Sequence, residues 1–170
     1  MATTTSRISV TNRNSLLRPI ALGGMFIFTS QFIHQWITIT LIQKTPFILV
    51  WQYIASGALG NAAFEGGIAT ALLGVFFHWI ISIVIAVVFF PSVDRIPLLR
   101  RYAIPGSLLY GFGVFIVMNM IVTPLSAAPP LPAPALPWLI EGLIEHTLLV
   151  GLPLGILVRR NADPNTSLPH

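Results

Sequence analysis

Residues Gly67 to Phe90 read GIATALLGVFFHWIISIVIAVVFF, with no lysine, arginine, aspartate or glutamate anywhere in the run. A helix that crosses about 30 Å of hydrocarbon needs roughly 20 such residues, because each backbone N–H and C=O must find its partner inside the segment. Three further stretches meet the same requirement: Pro19 to Gln43, Ala103 to Pro124, and Trp138 to Val158. The whole chain is 55% hydrophobic and only 8% charged, against about 25% charged in an ordinary soluble domain. The sequence therefore predicts an all-α, four-helix transmembrane bundle.

The charges fall between the apolar blocks. Arg7, Arg13 and Arg18 precede the first, Arg95, Arg100 and Arg101 join the second to the third, and Arg159 and Arg160 follow the fourth. The other two connections hold Lys44 alone among the basic residues. The positive-inside rule then puts both termini and the middle loop in the cytoplasm, an N-in/C-in topology. The first apolar stretch is longer than the 7 to 15 residues of a cleaved signal and reads as a retained anchor. The chain divides into a cytoplasmic tail over 1–18, one transmembrane domain over 19–160 and a second cytoplasmic tail over 161–170.

Thr45 to Phe64 is also free of charge, but a fifth crossing there would carry Arg95, Arg100 and Arg101 to the outside. Gln52, Ser56 and Gly60 recur every fourth residue, opposite Phe47, Trp51, Ile54 and Ala58. This spacing predicts an interfacial or re-entrant helix over about 46–64, between the first two spans. The third connection, SAAPPLPAPALP from Ser126 to Pro137, is too rich in proline for a helix and predicts a stiff polyproline II strap on the non-cytoplasmic side.

Composition also limits function. The formal charge is +4, yet no segment offers a basic surface interleaved with aromatics, so nucleic acid is not an expected partner. The absence of cysteine removes disulfides, thiolate metal sites and covalent haem. No phosphate-cradling glycine loop, nucleophile elbow or triad spacing occurs, so an enzyme is not expected. The expected partner is the lipid bilayer. Gly151 and Gly155 form a GxxxG with Pro153 between them, which reads either as a kink or as a face for a second copy.

An ionisable side chain costs about 2.5 to 3.5 kcal/mol at the centre of a membrane helix, so those within the spans need a partner or a purpose. The first span carries Gln31, His34, Gln35 and Thr38 on one stripe; the second carries His78, the third Asn119, and the fourth Glu141, Glu145 and His146 in WLIEGLIEH. Counted back from the cytoplasmic ends at about 1.5 Å per residue, Gln31, His34, Gln35, His78, Asn119, Glu141, Glu145 and His146 share one layer. Glu145 with His146 is the expected central pair. Three functions fit such a layer: proton, ion or small-solute movement; a structural core in an anchor or assembly partner of a membrane complex; or a haem- or metal-binding redox subunit. No motif demands a cofactor, since the HxxxH, ExxH and HExxH spacings are missing, but a haem or metal stays open.

Several phrases resemble a family of small, largely uncharacterised bacterial inner-membrane proteins with four transmembrane helices. They are ASGALG followed by AAFEGG, GVFFHWIIS, YGFGVFIVMNMIVTPLSA and the ending GLPLGILVRR, spread over about residues 20 to 160. The resemblance implies a four-span fold and a bacterial inner-membrane location. It implies no activity and no site residues.

Overall fold

A computed structural model of the chain describes residues 13–130 and 136–161. Residues 1–12 and 162–170, which make up most of the expected tails over 1–18 and 161–170, and the centre of the proline strap lie outside the described residues. The helices run in the order α1 (Arg13–Gln35), α2 (Ile48–Leu59), α3 (Gly67–Arg95), α4 (Pro97–Arg101), α5 (Ala103–Val117), α6 (Thr123–Leu125), α7 (Leu136–Glu145) and α8 (Leu152–Asn161). Three π-helical segments join them: Trp36–Ile42 extends α1, Met118–Val122 links α5 to α6, and His146–Gly151 links α7 to α8. Among the described residues, four continuous helices are long and apolar enough to cross a membrane: Leu16–Ile42, Gly67–Arg95, Ala103–Leu125 and Leu139–Asn161. Helix α1 begins at Arg13, inside the segment expected to be tail, and α3 continues through Pro91 to Arg95.

Only 11% to 28% of the most apolar window of each span is buried within the protein. Large side chains such as Ile68, Leu72, Leu109 and Met120 stand exposed around the outside, a surface that water would not tolerate and lipid does. The dry core sits at one end of the bundle, where Ile27, Phe89, Phe90, Val150 and Leu154 meet. Small residues let the backbones close there. A β-carbon on Gly23 would run into Phe90 and Leu154, and one on Gly24 into Ile83.

Helix α2 folds back on the first half of α3 as an antiparallel hairpin, turned by the short 3-10 segment Gly60–Phe64. Gly74 lies against the Trp51 carbonyl, Gln52 Nε2 donates to the Gly67 carbonyl at 3.1 Å, and Thr70 Oγ1 donates to the Ala63 carbonyl at 2.6 Å. Gln52 and Ser56 are buried while Leu49 and Leu59 are exposed. The polar stripe of α2 thus faces protein, as does Trp51 from the opposite set, and the helix turns Leu49, Ala58 and Leu59 outward. Where the strap begins, the Ala127 N–H donates to the Gly57 carbonyl at 2.9 Å and ties it to α2.

Two of the π segments end two residues before a proline, Val122 before Pro124 and Gly151 before Pro153. Proline has no N–H and its ring crowds the carbonyl four residues back. For Pro153 that carbonyl belongs to Leu149, and the Ser30 hydroxyl of α1 donates to it at 3.1 Å. The GxxxG is a packing face within the chain. β-Carbons on Gly151 and Gly155 would overlap Ser107 of α5, and one on Gly111 would overlap the His146 carbonyl.

Candidate functional site

The half of the bundle away from the dry core holds the polar side chains. On α1, His34 and Gln35 occupy the last turn before the π segment; on α7, Glu141 and Glu145 stand one turn apart, just before another. Both sides of the site therefore abut a π segment, a feature that often marks functional positions because it re-aims side chains without breaking the helix. The His34 imidazole enters between the two carboxylates. Its Nε2 lies 3.2 Å from Glu141 Oε1 and its Nδ1 lies 3.6 Å from Glu145 Oε1. Gln35 Nε2 donates to both Glu145 oxygens at 3.2 and 3.4 Å, and Thr38 Oγ1 lies 3.4 Å from His34 Nε2. Among the described residues no Lys or Arg pairs with either carboxylate.

Glu145 is 5% exposed, whereas the side chains of His34 and Glu141 are 28% and 34% exposed. Two cavities meet at the cluster. An inner one of about 470 Å³ lies between α1, α2, α3 and the π segment after α5, with Gln31, Gln35, His78, Glu145 and His146 as polar groups in a wall that includes Trp51, Ile81 and Met118. An outer one of about 660 Å³ is lined by His34, Glu141, Glu145, Ile140, Ile144 and Leu148. Glu145 lines both. Beyond the inner cavity, Tyr110 bridges α5 to α3 by donating to the Ile85 carbonyl at 2.8 Å.

The eight residues expected to share one layer separate into three environments. His34, Gln35, Glu141 and Glu145 form the cluster. Gln31, His78 and His146 reach the inner cavity but not the cluster: His78 packs between Phe28 and Trp51, with ring centroids 5.6 Å from each, and its buried Nε2 has no partner among the described residues. His146 turns back on its own helix, its Nδ1 2.8 Å from the Gly142 carbonyl and its ring against Phe115. Asn119 joins neither group; it is exposed, and its Nδ2 donates to the Phe115 carbonyl at 2.9 Å. The expected Glu145–His146 pair gives way to Glu145–His34, because neighbours on a helix point about 100° apart and only one of them can face α1. Thr38, on the expected stripe of the first span, joins the site beside His34, whereas the π segments that flank it were not expected. Pro153, two residues past one of these segments, was the available signal.

Comparison with protein-family models, curated proteins and solved structures finds no match to this chain.

Proposed function

We propose that the protein moves protons across a bacterial inner membrane, with both termini in the cytoplasm and the His34 cluster as the relay. The observation that carries this reading is that the two nitrogens of His34 face different carboxylates, Glu141 on the outer cavity and Glu145 reaching the inner one. An imidazole so placed accepts a proton on one nitrogen and releases the other from the opposite nitrogen, which is the geometry of a shuttle. A proton taken up at Glu141 passes to Nε2, and the Nδ1 proton passes to Glu145. Exchange of the ring tautomer resets the site.

The charge balance suits this role. The cluster has three basic sites and is electrically neutral with two protons on them, so one site is always open to the next proton. Buried His and Glu are the usual relay groups inside membranes. Gln35 holds Glu145 in place, and Gln31, His78 and His146 line the inner cavity that Glu145 also reaches. The orientation rests on the placement of eight of the nine basic residues on one side.

The test is proton flux into proteoliposomes loaded with a pH-sensitive dye, driven by a potassium diffusion potential. Wild-type protein is expected to acidify the lumen faster than empty vesicles, and Glu145→Gln and His34→Ala to remove the excess rate. Flux equal to that of empty vesicles, or unchanged in both variants, refutes the relay.

A further inference from the structure

The same cluster has the donor set of a metal site. One atom each from His34, Glu141 and Glu145 can be chosen so that all three lie within 4.8 Å of one another. Donors of a tetrahedral first-row ion at 2.0 to 2.2 Å stand about 3.3 to 3.6 Å apart, so closure by at most about 1.5 Å brings all three onto one ion. The His34 Nε2 to Glu141 Oε1 separation of 3.2 Å is already close to the edge of a tetrahedral site. The geometry points to a binding site for a transition-metal dication at His34, Glu141 and Glu145, entered from the outer cavity.

Charge, coordination preference and supporting contacts agree. Two carboxylates and a neutral imidazole carry a charge of −2, which a dication cancels, removing the cost of holding net charge in the bilayer. One nitrogen and two carboxylate ligands suit Zn²⁺, Mn²⁺ or Fe²⁺, whereas Ca²⁺ and Mg²⁺ prefer oxygen alone. His34 Nδ1 is buried without a hydrogen-bond partner among the described residues, so one ring nitrogen is left unclaimed beside Glu145. Gln35 orients Glu145 as the partners of metal-binding carboxylates do. The outer cavity leaves space beside the cluster on the remaining positions. Occupancy takes all three relay groups at once, so the ion acts as a block; that consequence rests on the relay reading, while binding itself does not.

The experiment uses the full chain in mild detergent, stripped with EDTA and freed of any affinity tag. Zn²⁺ retained after gel filtration is measured by atomic emission, and Co²⁺ is added in parallel for its visible absorption. About one Zn²⁺ per chain and a Co²⁺ band of four- or five-coordinate intensity are expected, both lost in His34→Ala and Glu145→Gln. Glu141→Gln, at a half-exposed position, serves where Glu145→Gln does not keep the helical circular dichroism of the parent. Gln35→Leu is expected to weaken binding by roughly 10- to 100-fold, the usual effect of removing a partner of a ligand. His146→Ala should retain full binding. Zn²⁺ well below stoichiometric, or stoichiometric Zn²⁺ that survives His34→Ala, overturns the site whatever the flux assay gives.

Discussion

Replacing Ser30 by alanine removes the donor that reaches the Leu149 carbonyl, an acceptor whose usual helical partner is missing because position 153 is proline. The hydroxyl also lies 3.1 Å from the Ile27 carbonyl, but that group belongs to its own helix and gains little from it. The loss is therefore that of one interhelical hydrogen bond between α1 and the fourth span. Such bonds in membrane proteins average about 0.6 kcal/mol and reach about 1.7. Because the acceptor has lost its helical donor, the upper half of that range is expected, a change of about 7- to 18-fold in the unfolding equilibrium. In a Pro153→Ala background the alanine N–H returns to the Leu149 carbonyl, and Ser30→Ala should then cost close to nothing. The four tryptophans give a fluorescence signal for unfolding by SDS in mixed micelles, and the two single variants with the double complete the cycle. An equal cost of Ser30→Ala in both backgrounds would show that the serine does not compensate the proline, and the reasoning would be wrong.

Other consequences can be checked in the same preparations. Gly74→Ala places a methyl group on the Trp51 carbonyl and should lower stability by about 1 to 3 kcal/mol, whereas Gly113→Ala meets nothing within 4 Å and should be neutral or stabilising by up to about 1 kcal/mol. Gly151→Ala should separate α5 from the fourth span through Ser107 with a similar loss, measured by the shift in the SDS midpoint. Asn119→Leu should leave proton flux and metal retention unchanged, since that side chain bonds only its own helix. The chain has no cysteine, so single-cysteine variants report topology directly: Lys44→Cys should react with an impermeant maleimide added outside whole cells, and Arg100→Cys only after the membrane is opened. The reverse pattern would invert the topology.

The spans were legible because bilayer thickness imposes one simple demand on composition, and Gly67–Arg95 meets it without ambiguity. The position of α2 was also readable, from a polar stripe too weak to cross and too regular to be a loop. The direction of that stripe was not, since Gln52 facing α3 and Gln52 facing water give the same periodicity. For the site, the sequence supplies depth but not direction around each helix axis. Depth alone placed Asn119 beside His34, yet the two helix faces diverge. It also favoured Glu145 with His146 over Glu145 with His34, a pairing separated by more than a hundred positions along the chain and settled only by how two spans meet. The π segments widen this gap, because each shifts the face presented by everything beyond it.

The π segment at His146–Gly151 has a consequence for how this span tolerates change in length. A π turn holds one residue more than the α-helix needs for the same advance, so a single deletion there could be absorbed by a return to regular α-helical bonding. Glu141 and Glu145 lie on one side of that turn, and Gly151 and Gly155 on the other. Because the extra residue is taken up within the turn, its loss would leave the carboxylates facing His34 and the glycines on Ser107. The same deletion within the regular α-helix Gly67–Arg95 would instead turn everything beyond it by about 100° about the helix axis. The fourth span thus holds, between Glu145 and Gly151, a tolerance to the loss of one residue that the second span lacks.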